Sequence, residues 1–303
     1  MNDTKLKIAI VGAGGVGGYI AGKLDLANLA DITLIVKQKY VDIISQNGLQ
    51  IIDTDMTFTT DPKVYQSCEN ELFDVVFIAT KSYDFQEACQ SIYSCVDKNT
   101  LVIPLANGVD HAQKISPYLP PCNIGEGAVY IISHIKKPGI IEKKSPLFYL
   151  LFGSKKSSPH TKELHEILNK SGLKSKYSEK ISYDCWKKYL FISSFATLTS
   201  YYKHSMDEIY KEHKSELLGV LEEIKSIANK LDIPIDEQDI EKVLKQAQNL
   251  PPNSKTSMQL DFEKGNKTEL DSLTGYIVKE AKKNGIQTPL MQEMYKKLSQ
   301  SKK

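Results

Sequence analysis

The chain has 303 residues, 41% hydrophobic and 25% charged, with a formal net charge of only +2. That balance excludes a broad electrostatic footprint for nucleic acid or an anionic membrane surface, and the length predicts two domains. Every basic residue is a lysine, so a phosphate site here must use ammonium charges, backbone amides and hydroxyls rather than a guanidinium fork. No apolar run is long enough to span a bilayer, and a short polar lead passes directly into a strand without a hydrophobic leader. Cys68, Cys89, Cys95, Cys122 and Cys185 show no CxxC spacing and no histidine cluster. They read as reduced thiols of a cytoplasmic protein. The six histidines, His111, His134 and His204 among them, show no ligand spacing and predict no metal site.

In chain order, Ile8–Val11 is a short apolar run that ends in glycines, as a buried parallel strand does. Residues 32–36, 75–79 and 101–105 repeat that character at crossover spacing, which predicts an α/β half with a parallel sheet covered on both faces. Strand-like runs follow at 127–133 and 148–152, with Lys136-Lys137-Pro138-Gly139 as a turn between them. The character changes near residue 180, after which the patterns are helical. Leu217, Leu221, Ile224, Ala228 and Leu231 form one apolar stripe; Leu270, Leu273, Ile277 and Ala281 form another, ending at Asn284-Gly285. Thr268 with Asp271 predicts a capped start for that last helix. Pro251-Pro252 marks a loop, and the lysine-rich tail from Lys296 is expected to fray. The expected domains are therefore 1–179 and 180–303.

Gly12-Ala13-Gly14-Gly15-Val16-Gly17 fits GxGxxG, with an apolar strand before it and a helix-compatible run after it. A dinucleotide site needs those glycines for the tight turn, for close backbone approach to a pyrophosphate and for helix–strand packing. The free amides and positive dipole end of the helix then meet the phosphates. Where the second strand stops, an NAD site carries an acid; this chain reads Val36-Lys37-Gln38-Lys39. Lys37, helped by Lys39, is placed for a 2′-phosphate and predicts NADP(H); a solvated lysine pair is the plainer alternative.

Two residues stand just past strand ends, where ligands bind in an open α/β sheet: Lys81 after Ile78-Ala79-Thr80, and Asn107-Gly108 after Pro104-Leu105-Ala106. Each has an ordinary reading too, as a surface lysine and an Asn-Gly turn. Further on, Lys188 lies within an almost wholly apolar segment, Trp186 to Phe195. A lysine there needs a carboxylate or a cleft. Glu269, at a helix start that favours its ionised form, is a candidate partner.

Taken in order, Gly12/Gly14/Gly17, Lys81, Asn107-Gly108, Trp186/Lys188, Ser257-Met258/Asp261 and Gly265/Thr268-Glu269/Asp271 resemble the ketopantoate reductase (2-dehydropantoate 2-reductase) family across essentially the whole chain. The resemblance implies a Rossmann-type domain followed by an all-helical domain of the 6-phosphogluconate dehydrogenase type. It implies Lys188 as general acid, Glu269 holding Lys188 and the ligand in register, and Ser257 on the substrate carboxylate. It places Asn107 and Lys81 around the nicotinamide end and the substrate, and puts Lys37 where many members carry an arginine. The implied activity is NADPH-dependent reduction of ketopantoate to (R)-pantoate, a step toward pantothenate and coenzyme A. The partner is then a small 2-oxo acid, with no nucleic acid and no membrane. Oligomeric state stays open, a homodimer included.

The chain also departs from the family. Asparagines are common four and eight residues after the catalytic lysine, where this chain has Ile192 and Ala196; a third falls roughly at Met206. Ser193, Ser194 and Thr197 are close in sequence, but one residue turns a helix by about 100°, so they do not simply substitute. Two alternatives follow: a same-fold NADPH reductase of another 2-oxo acid, and a non-catalytic NADPH sensor.

Overall fold

A computed structural model describes residues 5–68, 71–156 and 158–300, which divide into two compact units. The first comprises residues up to Ala106 together with His111–Ile181; the second comprises Asn107–Asp110 and Ser182 onward.

The first unit is built on one sheet of ten strands. They are β1 (Lys7–Val11), β2 (Asp31–Ile35), β3 (Leu49–Ile52), β4 (Thr57–Thr60), β5 (Lys63–Tyr65), β6 (Val75–Ile78), β7 (Leu101–Pro104), β8 (Asn123–Lys137), β9 (Ile140–Ser154) and β10 (Ser175–Tyr177). Its helices are α1 (Gly15–Ala27), α2 (Gln38–Asn47), α3 (Phe85–Gln90), α4 (His111–Ile115) and α5 (Thr161–Lys170). The order is β4-β3-β9-β8-β7-β6-β1-β2-β5, with β10 beside β9. Successive residues of a strand face opposite sides. Accordingly, Ile8 and Ile10 of β1 enter one apolar cluster and Ala9 and Val11 another, which is why this strand reads as an unbroken hydrophobic run.

Strands β2, β1, β6 and β7 pair in parallel, as expected, and β5 adds a further parallel strand beside β2. Two differences concern the rest of the sheet. The strand-like runs at 127–133 and 148–152 are the middles of two fifteen-residue strands, β8 and β9, paired antiparallel around Pro138-Gly139. The hairpin end of β8, from Ile132 to Lys137, and the stretch Lys144–Leu147 of β9 are largely exposed, so the full length of the two strands carried no continuous hydrophobic pattern. The short strands β3, β4, β5 and β10 carried no clear pattern of their own.

Cys68 and Cys95 form a disulfide, against the expectation of five thiols; 27 residues separate them, so no local spacing announced the pair. Cys89, Cys122 and Cys185 are free.

The second unit is helical: α6 (Ile181–Tyr202, its first residue counted with the first unit), α7 (Met206–Glu212), α8 (Lys214–Lys230), α9 (Glu237–Gln248), α10 (Ser257–Glu263), α11 (Tyr276–Asn284) and α12 (Pro289–Gln300). Leu217, Leu221, Ile224 and Ala228 are fully buried on α8, and Leu270, Leu273, Ile277 and Ala281 join the same core. Gly285, at φ 67°, ends α11 in the left-handed conformation that glycine accommodates best. The start of that last stretch differs from the expectation. Residues Asp271–Gly275 form a π-turn, Thr268 makes no cap, and its Oγ1 is buried without a hydrogen-bond partner among the described residues. Asp271 accepts from the Tyr295 hydroxyl instead, at 2.8 Å. The tail also differs: residues 296–300 continue α12 and Leu298 is buried, while residues 301–303 lie outside those described. No helix among the described residues is long and apolar enough to cross a membrane.

Candidate active site

In the first unit the glycine loop joins β1 to α1 at the point where the chain order reverses, between β2 on one side and β6 on the other. Crevices at such switch points bind ligands. Gly12 has φ +101°, a left-handed conformation costly for other residues. A Cβ on Gly17 would lie 2.0 Å from the Gly12 carbonyl oxygen and 2.8 Å from Ala79 Cβ, so only glycine lets α1 pack this close. Gly15 has the same constraint against the Ser133 backbone at 2.6 Å. Gly14, the N-cap of α1, is the contrast: a Cβ there would meet nothing within 4 Å. The loop is thus closed towards the protein at Gly15 and Gly17 and open at Gly14, the N-cap of α1.

A dinucleotide pyrophosphate fits this loop on two observations. The open position at Gly14 exposes backbone amides at a helix start. Two buried hydroxyls beside the loop, Thr80 Oγ1 and Ser133 Oγ, have no hydrogen-bond partner among the described residues and have donors to offer. Ser133 was not singled out in the sequence, because it reaches the loop only through the β8–β9 hairpin.

Lys37 follows β2 by two residues and is the N-cap of α2. Its Nζ lies 3.2 Å from Glu87 of α3, both side chains largely exposed, and the hydrogen bond to Glu87 raises its pKa. Lys39 lies over the Tyr40 ring at 5.0 Å and does not join that pair. In β6 and β7, Ile78 pairs with Pro104, so Lys81 and Asn107 each come three residues after a matched strand end. Lys81 there precedes a short 3-10 turn, Ser82–Asp84.

Behind the loop, Asp53 accepts from the Tyr19 hydroxyl at 2.6 Å and from Lys143 Nζ at 2.8 Å. This ties the first turns of α1 to β9 and to the end of β3. Burial pushes the Asp53 carboxyl up, but Lys143, Tyr19 and the Thr54 amide outweigh it and hold it below the usual carboxylate value. Lys143 is only 4% exposed, so the pair is effectively buried.

In the second unit, α6 carries Lys188 among Trp186, Tyr189, Leu190 and Phe195, all buried. Lys188 Nζ donates to Asn107 Oδ1 at 3.2 Å. Burial pushes its pKa down to about 8; Cys185 and the Glu269 carboxylate pull the other way. Glu269 is 3% exposed and stands immediately before the helical stretch that begins at Leu270. Lys188, Asn107 and Glu269 are therefore brought together, two by a hydrogen bond and the third by its charge. Ser257 opens α10 with its side chain exposed, behind Thr256, whose Oγ1 accepts from the Gln259 amide.

The hydroxyls around the departing positions are engaged elsewhere. Ser193 Oγ donates to the Leu273 carbonyl at 2.9 Å, Thr197 pairs with Thr274 at 2.7 Å, and Ser194 bonds back to the Leu190 carbonyl. Tyr189 donates to the carbonyls of Ser272 and Leu273. The π-turn at Asp271–Gly275 frees these carbonyls, and α6 satisfies them. None of this was legible in sequence, where a π-turn leaves no periodic mark. Ile192 stays partly exposed and Ala196 is buried.

The sequence matches the family profile described as "Ketopantoate reductase PanE/ApbA" over residues 8–154, and its C-terminal counterpart over residues 180–302. It is 29% identical to the uncharacterized oxidoreductase YkpB of Bacillus subtilis (strain 168), over 97% of this chain and 98% of that protein. Its backbone is similar to the 2-dehydropantoate 2-reductase of Porphyromonas gingivalis W83, with a TM-score of 0.85, 27% identity, and coverage of 97% and 99% of the two chains. It shares the fold of a D-mandelate dehydrogenase solved with NADH and anilino(oxo)acetate, with a TM-score of 0.88, 23% identity and 98% coverage of both chains. Over both of its units, the chain belongs to the ketopantoate reductase family of NAD(P)-dependent oxidoreductases.

Proposed function

We propose that the protein reduces ketopantoate to (R)-pantoate with NADPH, as a cytoplasmic enzyme on the way to pantothenate and coenzyme A. In this reading residues 1–179 hold the cofactor and residues 180–303 carry the catalytic acid and most substrate contacts. The observation that carries it is the state of Lys188: half-buried, hydrogen-bonded by Asn107, acted on by Glu269, and titrating near 8.

When bound, the reduced nicotinamide supplies a hydride to the carbonyl carbon of the 2-oxo acid. Lys188 in its ammonium form stabilises the negative charge that grows on the carbonyl oxygen, then gives that oxygen a proton and is left neutral. A pKa near 8 suits this, since the lysine is mostly protonated at neutral pH yet gives up its proton far more readily than an exposed one. Asn107 Oδ1 fixes the direction of the ammonium group. The Glu269 carboxylate favours the charged form of the half-buried lysine before transfer. Ser257 serves the substrate carboxylate, and Lys81 the nicotinamide end. Lys37 serves the 2′-phosphate, which competes with Glu87 for its ammonium group.

A second reading, the same reduction on a 2-oxo acid without a terminal hydroxyl, is favoured by Ile192 and Ala196. Both are apolar, and the neighbouring hydroxyls are already hydrogen-bonded within the helical unit. NADPH oxidation at 340 nm, with ketopantoate against 2-oxoisovalerate and repeated with NADH, tests both readings. A preference for ketopantoate by several orders of magnitude in kcat/KM rules out the second, and comparable values rule out the first. Tight NADPH binding with no turnover of either acid would leave only the sensor.

A further inference from the structure

Far from Lys188, the other end of α6 runs into a cluster that the reductase reading does not use. Helix α6 stops at Tyr202, and Lys203, in the left-handed region at φ 61°, turns the chain sharply. His204 follows, then Ser205, whose amide and hydroxyl both donate to Glu208 at 2.7 Å and fix the start of α7. Helix α7 is only seven residues long, and it returns the chain so that Glu212 and His213 come back to His204.

The result is three donor atoms mutually within 4.8 Å. His204 Nδ1 lies 3.1 Å from His213 Nε2 and 3.7 Å from a Glu212 carboxylate oxygen. Tetrahedral zinc with bonds of 2.0–2.1 Å sets its ligand atoms roughly 3.3 Å apart, so these spacings are close to those of an occupied site. His213 is also held from behind. Its other nitrogen, Nδ1, faces Glu216 at 3.9 Å, and its ring stacks on Tyr202 with centroids 3.7 Å apart. The stack fixes the plane of the ring, while Glu216, beyond hydrogen-bond reach, places a negative charge behind it.

We propose that His204, Glu212 and His213 form a binding site for a divalent transition-metal ion, zinc by donor chemistry. Two neutral imidazoles and one carboxylate suit zinc, and the remaining position opens to solvent on the side of the exposed Glu212. The ion pins the end of α6 to the α7–α8 corner. It is not part of the reaction centre: fourteen residues of helix separate Lys188 from Tyr202, roughly 21 Å at 1.5 Å per residue. Its role is to brace the helix on which the catalytic acid stands. The proposal does not depend on which oxo acid is reduced.

Nothing in the spacing announces this site, because a single histidine and a Glu-His pair eight residues later match no helical or zinc-finger pattern. The plain alternative is a neutral His–His hydrogen bond, which the same 3.1 Å permits.

The test uses full-length, untagged protein stripped with a chelator and titrated with zinc by calorimetry, and with cobalt(II) as a visible-absorbance probe. We expect one equivalent bound, with four- or five-coordinate cobalt bands. His204→Asn and His213→Asn should each lose more than the roughly 10–100-fold in affinity that outer partners typically cost, and Glu216→Gln, which removes only a nearby charge, should lose less than either. Glu212→Gln, at an exposed side chain that does not endanger folding, should weaken binding and change the cobalt spectrum. Zinc should raise the Tm of the wild type and leave that of Glu212→Gln nearly unchanged. Wild-type protein that binds no more zinc than the His204→Asn/His213→Asn double variant would overturn the proposal, as would a cobalt spectrum indifferent to Glu212→Gln.

Discussion

Lys188 and Asn107 are 81 residues apart in sequence and meet at 3.2 Å, the lysine Nζ donating to the asparagine Oδ1. One stands on the first long helix of the helical unit. The other follows a strand of the sheet by three residues, yet packs with the helices. The contact gives a half-buried ammonium group a fixed direction, which an acid that must meet one oxygen atom requires.

The pH dependence of turnover should report this lysine. Its folded pKa of about 8 lies below the ordinary value, because burial disfavours the charged form. Reduction requires the ammonium, so kcat should be level below pH 8 and fall as pH rises through it; oxidation of the hydroxy acid should rise over the same range. Lys188→Ala should lower kcat by roughly 10²–10⁴-fold, abolish that limb and leave NADPH affinity nearly unchanged. A fully active variant would remove Lys188 from the mechanism.

The glycine loop offers a paired test. Gly17→Ala would set a Cβ 2.0 Å from a backbone oxygen, a worse clash than ordinary overpacking, which costs roughly 1–3 kcal/mol. Loss of soluble protein or a large drop in Tm is expected. Gly14→Ala meets nothing in the protein, so its Tm should stay within a few degrees of the wild type while the Kd for NADPH rises about tenfold or more, roughly 1.4 kcal/mol. Unchanged NADPH binding in Gly14→Ala would mean the pyrophosphate does not lie at that helix end.

Choice of cofactor turns on Lys37. Lys37→Ala should weaken NADPH by about tenfold and NADH hardly at all, since only NADPH carries the 2′-phosphate. Glu87 already holds the same ammonium group at 3.2 Å. Glu87→Gln should therefore tighten NADPH modestly, by no more than the roughly 0.2–1 kcal/mol an exposed ion pair is worth. Fluorescence titration of both cofactors against both variants measures the two effects. Equal losses for NADPH and NADH in Lys37→Ala would place the 2′-phosphate elsewhere.

Stability of the first unit should depend on the Asp53–Lys143 pair. Removing one partner leaves a buried charge, so Lys143→Met should cost about 3–5 kcal/mol in denaturant unfolding, and adding Asp53→Leu should restore much of it. Because the folded pKa of Asp53 is lowered, its contribution is present at neutral pH and is lost as pH falls through that value, below the ordinary carboxylate range. A Lys143→Met protein as stable as the wild type would show the pair to be dispensable.

Local periodicity and fixed motifs carry the part of this molecule that can be read along the chain. Buried parallel strands read as apolar runs, helices α8 and α11 as stripes, and the glycine loop as a turn that tolerates no Cβ at Gly17. From these and the ordered motifs, the α/β half, the helical half and the family were legible. Packing settled what depends on residues distant in the chain. It set the length of the β8–β9 hairpin, whose register runs by strand pairing from Gly125–Ser154 to Lys137–Ile140. It also decided the Cys68–Cys95 bond, the buried Asp53–Lys143 pair, and the π-turn whose carbonyls engage Tyr189 and Ser193. The return of His213 to His204 belongs with these, since it depends on how far the seven residues of α7 carry the chain back. Such contacts leave no mark in composition or period, because each is a meeting of two side chains that only the packed chain brings within reach.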